Sequence, residues 1–232
     1  PADYPYPYSY HCCQGMKIYF CVGSGGEKLC TLLKEEGVRS ILVSFANAFS
    51  KSAKHAIRTF PDVMLDSGAF GVTNSGVTVS FETYCFWLET TLADYPTITK
   101  YIVFDDLSSH VQTLRNQKAM EERGLRPVPV YHYGEPEAVL DYYATSYEYV
   151  GLGGLAVGEI TTPQLKSFWD WVASRHPKRQ FHILGATALK AFTTHVPFSC
   201  DSTTWIAGRY GDTLILDEQG QPTWRQHIYG KG

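Results

Sequence analysis

Gly153-Gly154-Leu155-Ala156-Val157-Gly158-Glu159 follows directly on the short apolar run 149–152, and the two together read as a strand that ends in bare backbone and a carboxylate. Four other apolar runs end in the same way: Leu65-Asp66-Ser67-Gly68-Ala69-Phe70, Phe104-Asp105-Asp106, Tyr131-His132-Tyr133-Gly134 and Cys200-Asp201-Ser202. Stretches of helical spacing separate them. Carboxylates and glycines gathered at the ends of parallel strands are how a (β/α)8 barrel builds an active site.

The rest of the chain fits that frame. Strands are expected at 17–22, 40–45, 63–65, 101–104, 128–132, 149–152, 181–184 and 198–200. Helices are expected between them, at 27–36, around 52–59, at 81–92, at 112–123 with Gly124 as the stop, from Pro136 onward, and from Thr162-Pro163 to 174. The stripe Phe81, Tyr84, Cys85, Leu88 and Leu92 has helical period and reads as core. Repeated βα units of this number close into a barrel more naturally than they form an open sheet. The expected fold class is therefore α/β, a single (β/α)8 TIM barrel over 16–232 preceded by a peripheral extension at 1–15. A small hairpin around Asp217-Glu218-Gln219-Gly220 ends it. Gly23-x-Gly25-Gly26 after the first strand lacks dinucleotide-fingerprint spacing and reads as a permissive βα loop.

Bulk properties narrow the function. The 232 residues suit one barrel, and 44% hydrophobic content supplies a core. A formal net charge of −3 argues against a tight, extended grip on phosphates, although Lys51, Lys54, His55 and Arg58, or Arg175, Lys178 and Arg179, could form local patches. The bland alternative for both clusters is a solvated helix face. No apolar run approaches the ~20 residues of a membrane span, so no membrane partner is expected. Six cysteines without a CxxC pair form neither a disulfide framework nor a zinc site. They point to a reducing compartment, the cytoplasm, or a host's cytoplasm if the chain is phage-encoded. Cys21, Cys30, Cys85 and Cys200 read as small apolar residues.

In this order the strand-end motifs resemble the tRNA-guanine transglycosylase superfamily over roughly residues 17 to 211, with 153–159 the most specific match. Members exchange a guanine in a polynucleotide for a 7-deazaguanine. Those acting on tRNA carry a Cys-x-Cys-x-x-Cys…His zinc cluster after the nucleophile. Here no cysteine follows Cys200, and His227 alone makes no site. The chain is most similar to the short zinc-less 7-deazaguanine DNA transglycosylases of phage type. The resemblance implies DNA rather than tRNA as polymer, a 7-deazaguanine base such as preQ0, and neither cofactor nor metal. A partner subunit or homodimer stays open.

It also implies roles. Asp201 takes the place of the nucleophile that forms a glycosyl-enzyme ester, and Gly211 matches a downstream glycine; a turn-capping aspartate is the alternative. Asp66 takes the place of the general acid/base, with Ser67, Gly68 and Ala69 beside it leaving room for substrate. Asp105 corresponds to the reader of the guanine Watson–Crick edge, while Asp106 should point away from the mouth. His132 stands where the tRNA enzymes carry glutamine and could bond the base, or be structural. Gly153, Gly154 and Leu155 would bring backbone amides against the base, and Glu159 would lie near its 7-substituent. The other readings are the same exchange on tRNA, a nucleosidase-like glycosidase using Asp66 and Asp201, and a nucleobase-binding barrel without turnover.

Overall fold

The computed structural model describes residues 15–22, 26–68, 79–155, 160–185, 189–202, 213–216 and 222–225. Eight strands share one sheet: β1 (Lys17–Cys21), β2 (Ser40–Ser44), β3 (Asp62–Asp66), β4 (Ile98–Tyr101), β5 (Val130–His132), β6 (Tyr149–Gly153), β7 (Gln180–Ile183) and β8 (Ser199–Ser202). Between them run α1 (Gly26–Glu35), α2 (Lys51–Thr59), α3 (Phe81–Thr91), α4 (His110–Glu122), α5 (Glu137–Ser146) and α6 (Thr162–Arg175), with a 3-10 turn at Leu189–Phe192 between β7 and β8. Every observed strand pairing in this sheet is parallel, and the order is β4-β3-β2-β1-β8-β7-β6-β5. Apart from β4 and β5, which form the two edges, consecutive strands are neighbours, and the first pairs with the last, so the sheet curls on itself. A separate antiparallel pair, β9 (Thr213–Leu216) and β10 (Pro222–Arg225), forms the expected terminal hairpin, whose turn lies outside the described residues.

Closure is the point at which the expectation is met only in part. The edge strands β4 and β5 share no ladder; one isolated parallel bridge, Ile102 to Val128, joins them. Its two hydrogen bonds run from the Val128 amide to the Tyr101 carbonyl (2.8 Å) and from the Val103 amide to the Val128 carbonyl (3.0 Å). On the β3 side the ladder also stops here, because side chains take the next carbonyls. Tyr84 Oη donates to the Ile102 carbonyl (2.7 Å) and Asn116 Nδ2 to that of Phe104 (2.7 Å). Strand four therefore spans Ile98–Tyr101 rather than 101–104. Strand five begins at Val130 rather than 128, since Pro129 has no amide to give β6 although its carbonyl accepts from Gly151 (2.8 Å).

Helix starts follow the side chains available. Ser50, Ser80 and Ser109 each accept from a backbone amide three residues on, capping α2, α3 and α4. The cap of α6 is Thr161, one residue before the expected Thr162, in a capping box with Gln164.

Side-chain alternation explains why this sheet is not the continuous apolar run usual for buried parallel strands. Ile41, Val43, Val63, Leu65, Val150, Leu152, Phe181 and Ile183 are buried in apolar clusters with residues of the helices, including Leu33, Ile57, Leu88, Leu140, Leu165 and Val172. The alternate positions face the concave side and are largely polar or glycine. At its N-terminal end Asp62 accepts from Lys17 Nζ (3.0 Å), Ser40 Oγ (2.6 Å) and Thr99 Oγ1 (2.6 Å). Burial opposes that charge, but these hydrogen bonds and the lysine outweigh it and hold the carboxyl below its usual range. Lys100 Nζ of β4 lies 5.2 Å from the ring centroid of Tyr149 of β6, a contact that spans the concave side. The polarity of Thr99 and Lys100, used here as a floor, hid β4 from an apolar-run reading.

Tyr84→Phe removes a fully buried donor and leaves the Ile102 carbonyl unpaired. It should destabilise the protein by about 1–3 kcal/mol, measured by denaturant unfolding, with little change in the cooperativity of the transition.

Candidate active site

Asp201 lies in β8 beside β1, with its backbone in register with Tyr19, and its carboxyl is 6% exposed as a residue. Three donors reach it. The Gly185 amide (2.9 Å) and His182 Nε2 (3.2 Å) meet Oδ1, and the Cys21 thiol (3.1 Å) meets Oδ2. Gly185 has φ +67, a left-handed conformation open to glycine, which lets the chain turn after β7 with its amide toward Asp201. Behind His182, Nδ1 contacts Ser199 Oγ (2.8 Å), and Ser199 Oγ contacts Tyr149 Oη (2.6 Å).

Asp66 ends β3, with Ser44 of β2 opposite it in register. The Gly68 amide folds back onto its Oδ2 at 3.1 Å. Gly68 has φ +79, and an added Cβ would lie 3.2 Å from the Ala46 amide nitrogen and 3.3 Å from Ser44 Oγ. Glycine is thus required for this turn, in addition to any room it leaves for a ligand. Burial, then the charges of Asp105 and Asp201, push the Asp66 carboxyl up to about 7, against hydrogen bonds from Gly68 and Ser44 that lower it. The three expected carboxyl groups, from β3, from β8 and from the segment after β4, are thus brought close enough for Asp66 to sense the other two.

Asp105 is held from both sides. Ser67 Oγ donates to Oδ1 (2.8 Å) and His132 Nε2 to Oδ2 (2.9 Å). The other ring nitrogen of His132, Nδ1, meets Glu135 Oε1 at 2.9 Å. Burial disfavours a charged ring, but the hydrogen bonds to Asp105 and Glu135 and their negative charges outweigh it, raising the imidazolium to about 9. His132 is then a cation with one N–H toward Asp105 and the other toward Glu135. Ser67, fully buried, likewise serves Asp105.

The glycines of the β6 motif have a packing role. A Cβ at Gly153 would lie 2.9 Å from His132 Cδ2 and 3.0 Å from Val130 Cγ1, so the space beside it belongs to the His132 ring. Gly154, at φ +74, packs against the Tyr133 amide. Leu155 is buried in the outer core. Glu159, Ala69, Gly211 and His227 lie outside the described residues. Asp106 is held by its own turn: Ser108 donates to it through both amide (2.8 Å) and hydroxyl (2.6 Å), lowering its pKa.

Several participants were missed. Cys21, read as apolar, is a donor to Asp201; His182, Ser199, Tyr149 and Glu135 were not singled out. The signal available for them was strand parity, since Tyr149, His182 and Ser199 occupy alternate positions that share the concave side with Asp201. Outside it, Tyr131, Tyr133, Glu135, Phe168 and Trp171 line an open groove of about 610 Å³. Of the basic clusters, Arg175 is committed to Asp141 through two hydrogen bonds of 2.6 Å. Arg58 lies over the Tyr95 ring. Among the described residues, no group of three or more His, Cys, Asp or Glu is arranged to hold a metal ion.

Two outcomes are expected. Gly153→Ala should cost about 1–3 kcal/mol in denaturant unfolding, by crowding His132 and Val130. For pH, both shifted groups bind protons more tightly when folded. The stability each provides is complete below its unfolded value and is lost as pH climbs through its folded value. The windows are 3.8 to about 7 for Asp66 and 6.5 to about 9 for His132. Comparing thermal midpoints across pH, Asp66→Asn should gain stability relative to the parent as pH rises through the first window and hold that gain above it. A difference that does not change with pH would refute the raised carboxyl. No protein-family model matches this chain, and no curated protein does either.

Proposed function

We propose that this chain is a base-exchange pentosyltransferase of the tRNA-guanine transglycosylase type, replacing guanine in DNA with a 7-deazaguanine such as preQ0. The observation that carries the proposal is the contrast between two neighbouring carboxyl groups. Asp201 is held as an acceptor by three donors, whereas Asp66 is raised to about 7 and so keeps its proton over part of the neutral range. Displacing a base from a sugar needs both states at once: an ionised oxygen to take the anomeric carbon, and a protonated acid to accompany the leaving base. A second half-reaction, in which the entering base gives its proton to Asp66 and recaptures the sugar, needs no further group.

Asp105 suits a base reader, because each of its oxygens keeps a lone pair after accepting from Ser67 or His132. The charged His132 keeps that carboxylate fixed, so two N–H groups of a guanine-like edge would meet a preorganised acceptor. The fold reading goes with the function: we take the curled sheet as a (β/α)8 barrel whose β4–β5 seam is the single Ile102–Val128 bridge, with the carboxyl groups at its C-terminal mouth. DNA is favoured over folded tRNA by the modest charge of the chain.

The test is incorporation of radiolabelled guanine or preQ0 into duplex DNA, locally opened DNA and tRNA. Exchange should be fastest where the target base is already unpaired, since flipping it from the stack costs about a few kcal/mol. Asp201→Ala should remove both exchange and any denaturant-resistant protein–DNA adduct, and Asp66→Asn should lower exchange by about 100-fold or more without unfolding the protein. Asp105→Asn should lose discrimination for guanine. Release of free guanine without incorporation would make the chain a glycosidase; exchange on tRNA with all DNA inert would overturn the choice of polymer.

A further inference from the structure

The two oxygens of Asp201 are not equivalent. Oδ1 is met by a backbone amide and an imidazole nitrogen, at 2.9 Å and 3.2 Å; among the described residues Oδ2 is met by the Cys21 thiol, at 3.1 Å. Amide and imidazole N–H groups are firm donors, and a thiol is a weak one. We propose that Asp201 is a one-sided nucleophile, its Oδ1 clamped by Gly185 and the buried His182–Ser199–Tyr149 chain and its Oδ2, on the Cys21 side, the oxygen that attacks. The inference rests on the reading of Asp201 as nucleophile and adds which atom reacts and which residues hold it.

The chain of hydrogen bonds has one consistent direction that leaves its buried members neutral. An ionised carboxylate only accepts, so His182 Nε2 carries a proton and donates to Oδ1. With the ring neutral, Nδ1 accepts, so the Ser199 hydroxyl donates to it, and the Tyr149 hydroxyl donates to Ser199. Every proton then points toward Asp201. Tyr149 suits the outer end, because burial raises its pKa and keeps it protonated. The succession Ser199, His182, Asp201 is not a hydrolase triad. Ser199 is fully buried and already held by Tyr149, so its oxygen cannot meet a substrate.

The asymmetry matches what the ester requires. As the Oδ2 lone pair bonds the anomeric carbon, the glycosidic C–N bond breaks, its electron pair leaves on the base nitrogen, and that nitrogen takes the Asp66 proton. Oδ1 becomes an ester carbonyl and still accepts from Gly185 and His182. Oδ2 becomes the alkyl oxygen, a poor acceptor, so the hydrogen bond lost on that side is the weak thiol one. In the return step the C–O pair goes back to Oδ2. His182, Ser199 and Tyr149 are positioning residues in this scheme, and Cys21 tunes the reacting oxygen by donating weakly.

The experiment separates this from base exchange by reading Asp201 directly. A small epoxide, glycidol, is incubated with the full chain, and esterification is followed by peptide mass spectrometry. There the attacking oxygen opens the epoxide carbon–oxygen bond, and the alkoxide takes a proton from water. Cys21→Ala should label Asp201 within about 3-fold of the parent, whereas Cys21→Ser, which places a stronger donor on Oδ2, should be slower by 10-fold or more. His182→Phe should be slower by about 100-fold, and His182→Gln, which retains an N–H donor, should recover much of the loss. Nitrogen-15 shifts of His182 should show Nε2 protonated and Nδ1 bare. Equal labelling of the Ser and Ala variants, an unaffected His182→Phe, a protonated Nδ1, or no esterification of Asp201 in the parent would each overturn the proposal. If the order of labelling holds while guanine exchange is absent, the one-sided carboxylate stands and the base-exchange reading falls.

Discussion

Burying a carboxyl group is costly unless something holds either its charge or its proton, and the concave side of this sheet buries several. Each is satisfied differently. Asp62 is met by a lysine and two hydroxyl groups, Asp105 by a serine and a charged histidine, and Asp201 by an amide, an imidazole and a thiol. Asp66 lies near two of the other carboxylates with weaker support, and its proton becomes the cheaper solution. The strand ends, the glycine turns and the buried hydroxyls are arranged around these four solutions.

That arrangement separates two chemical roles using one residue type. Asp66 and Asp201 are the same side chain at equivalent ends of different strands. Their surroundings differ: one carboxyl is pushed up by burial and neighbouring charges, and the other accepts hydrogen bonds on both oxygens. The principle is general: where environments drive two titratable groups apart, acid and base duties follow. Here the divergence arises from contributions by three further strands, since Cys21 of β1, Ser44 of β2, and His182 of β7 with the turn that follows it all take part.

His132 shows how one substitution spreads through a site. A ring at that position needs space, and Gly153 on the adjacent strand supplies it; it needs partners, and Asp105 and Glu135 supply those. Over its described part the glycine-rich motif accommodates this ring and the turn that follows. The weakly joined β4–β5 seam lies between β5, which ends in His132, and the segment after β4 that carries Asp105, so the hydrogen bond between those two side chains also spans the place where backbone pairing is thinnest.

The sequence by itself determined the βα alternation and the strand ends bearing Asp66, His132 and Asp201, because these depend on local periodicity and on residues a few positions apart. Its errors were local as well. The polar floor residues Thr99 and Lys100 concealed β4, and Tyr84 and Asn116, distant in sequence, ended it early. Only the tertiary structure decided that Cys21 and His182 reach Asp201, that Glu135 and Asp105 share His132, and that burial pushes the Asp66 carboxyl up. Those outcomes depend on distances of about 3 Å between strands up to 180 positions apart, and on burial, which no local pattern of residues encodes.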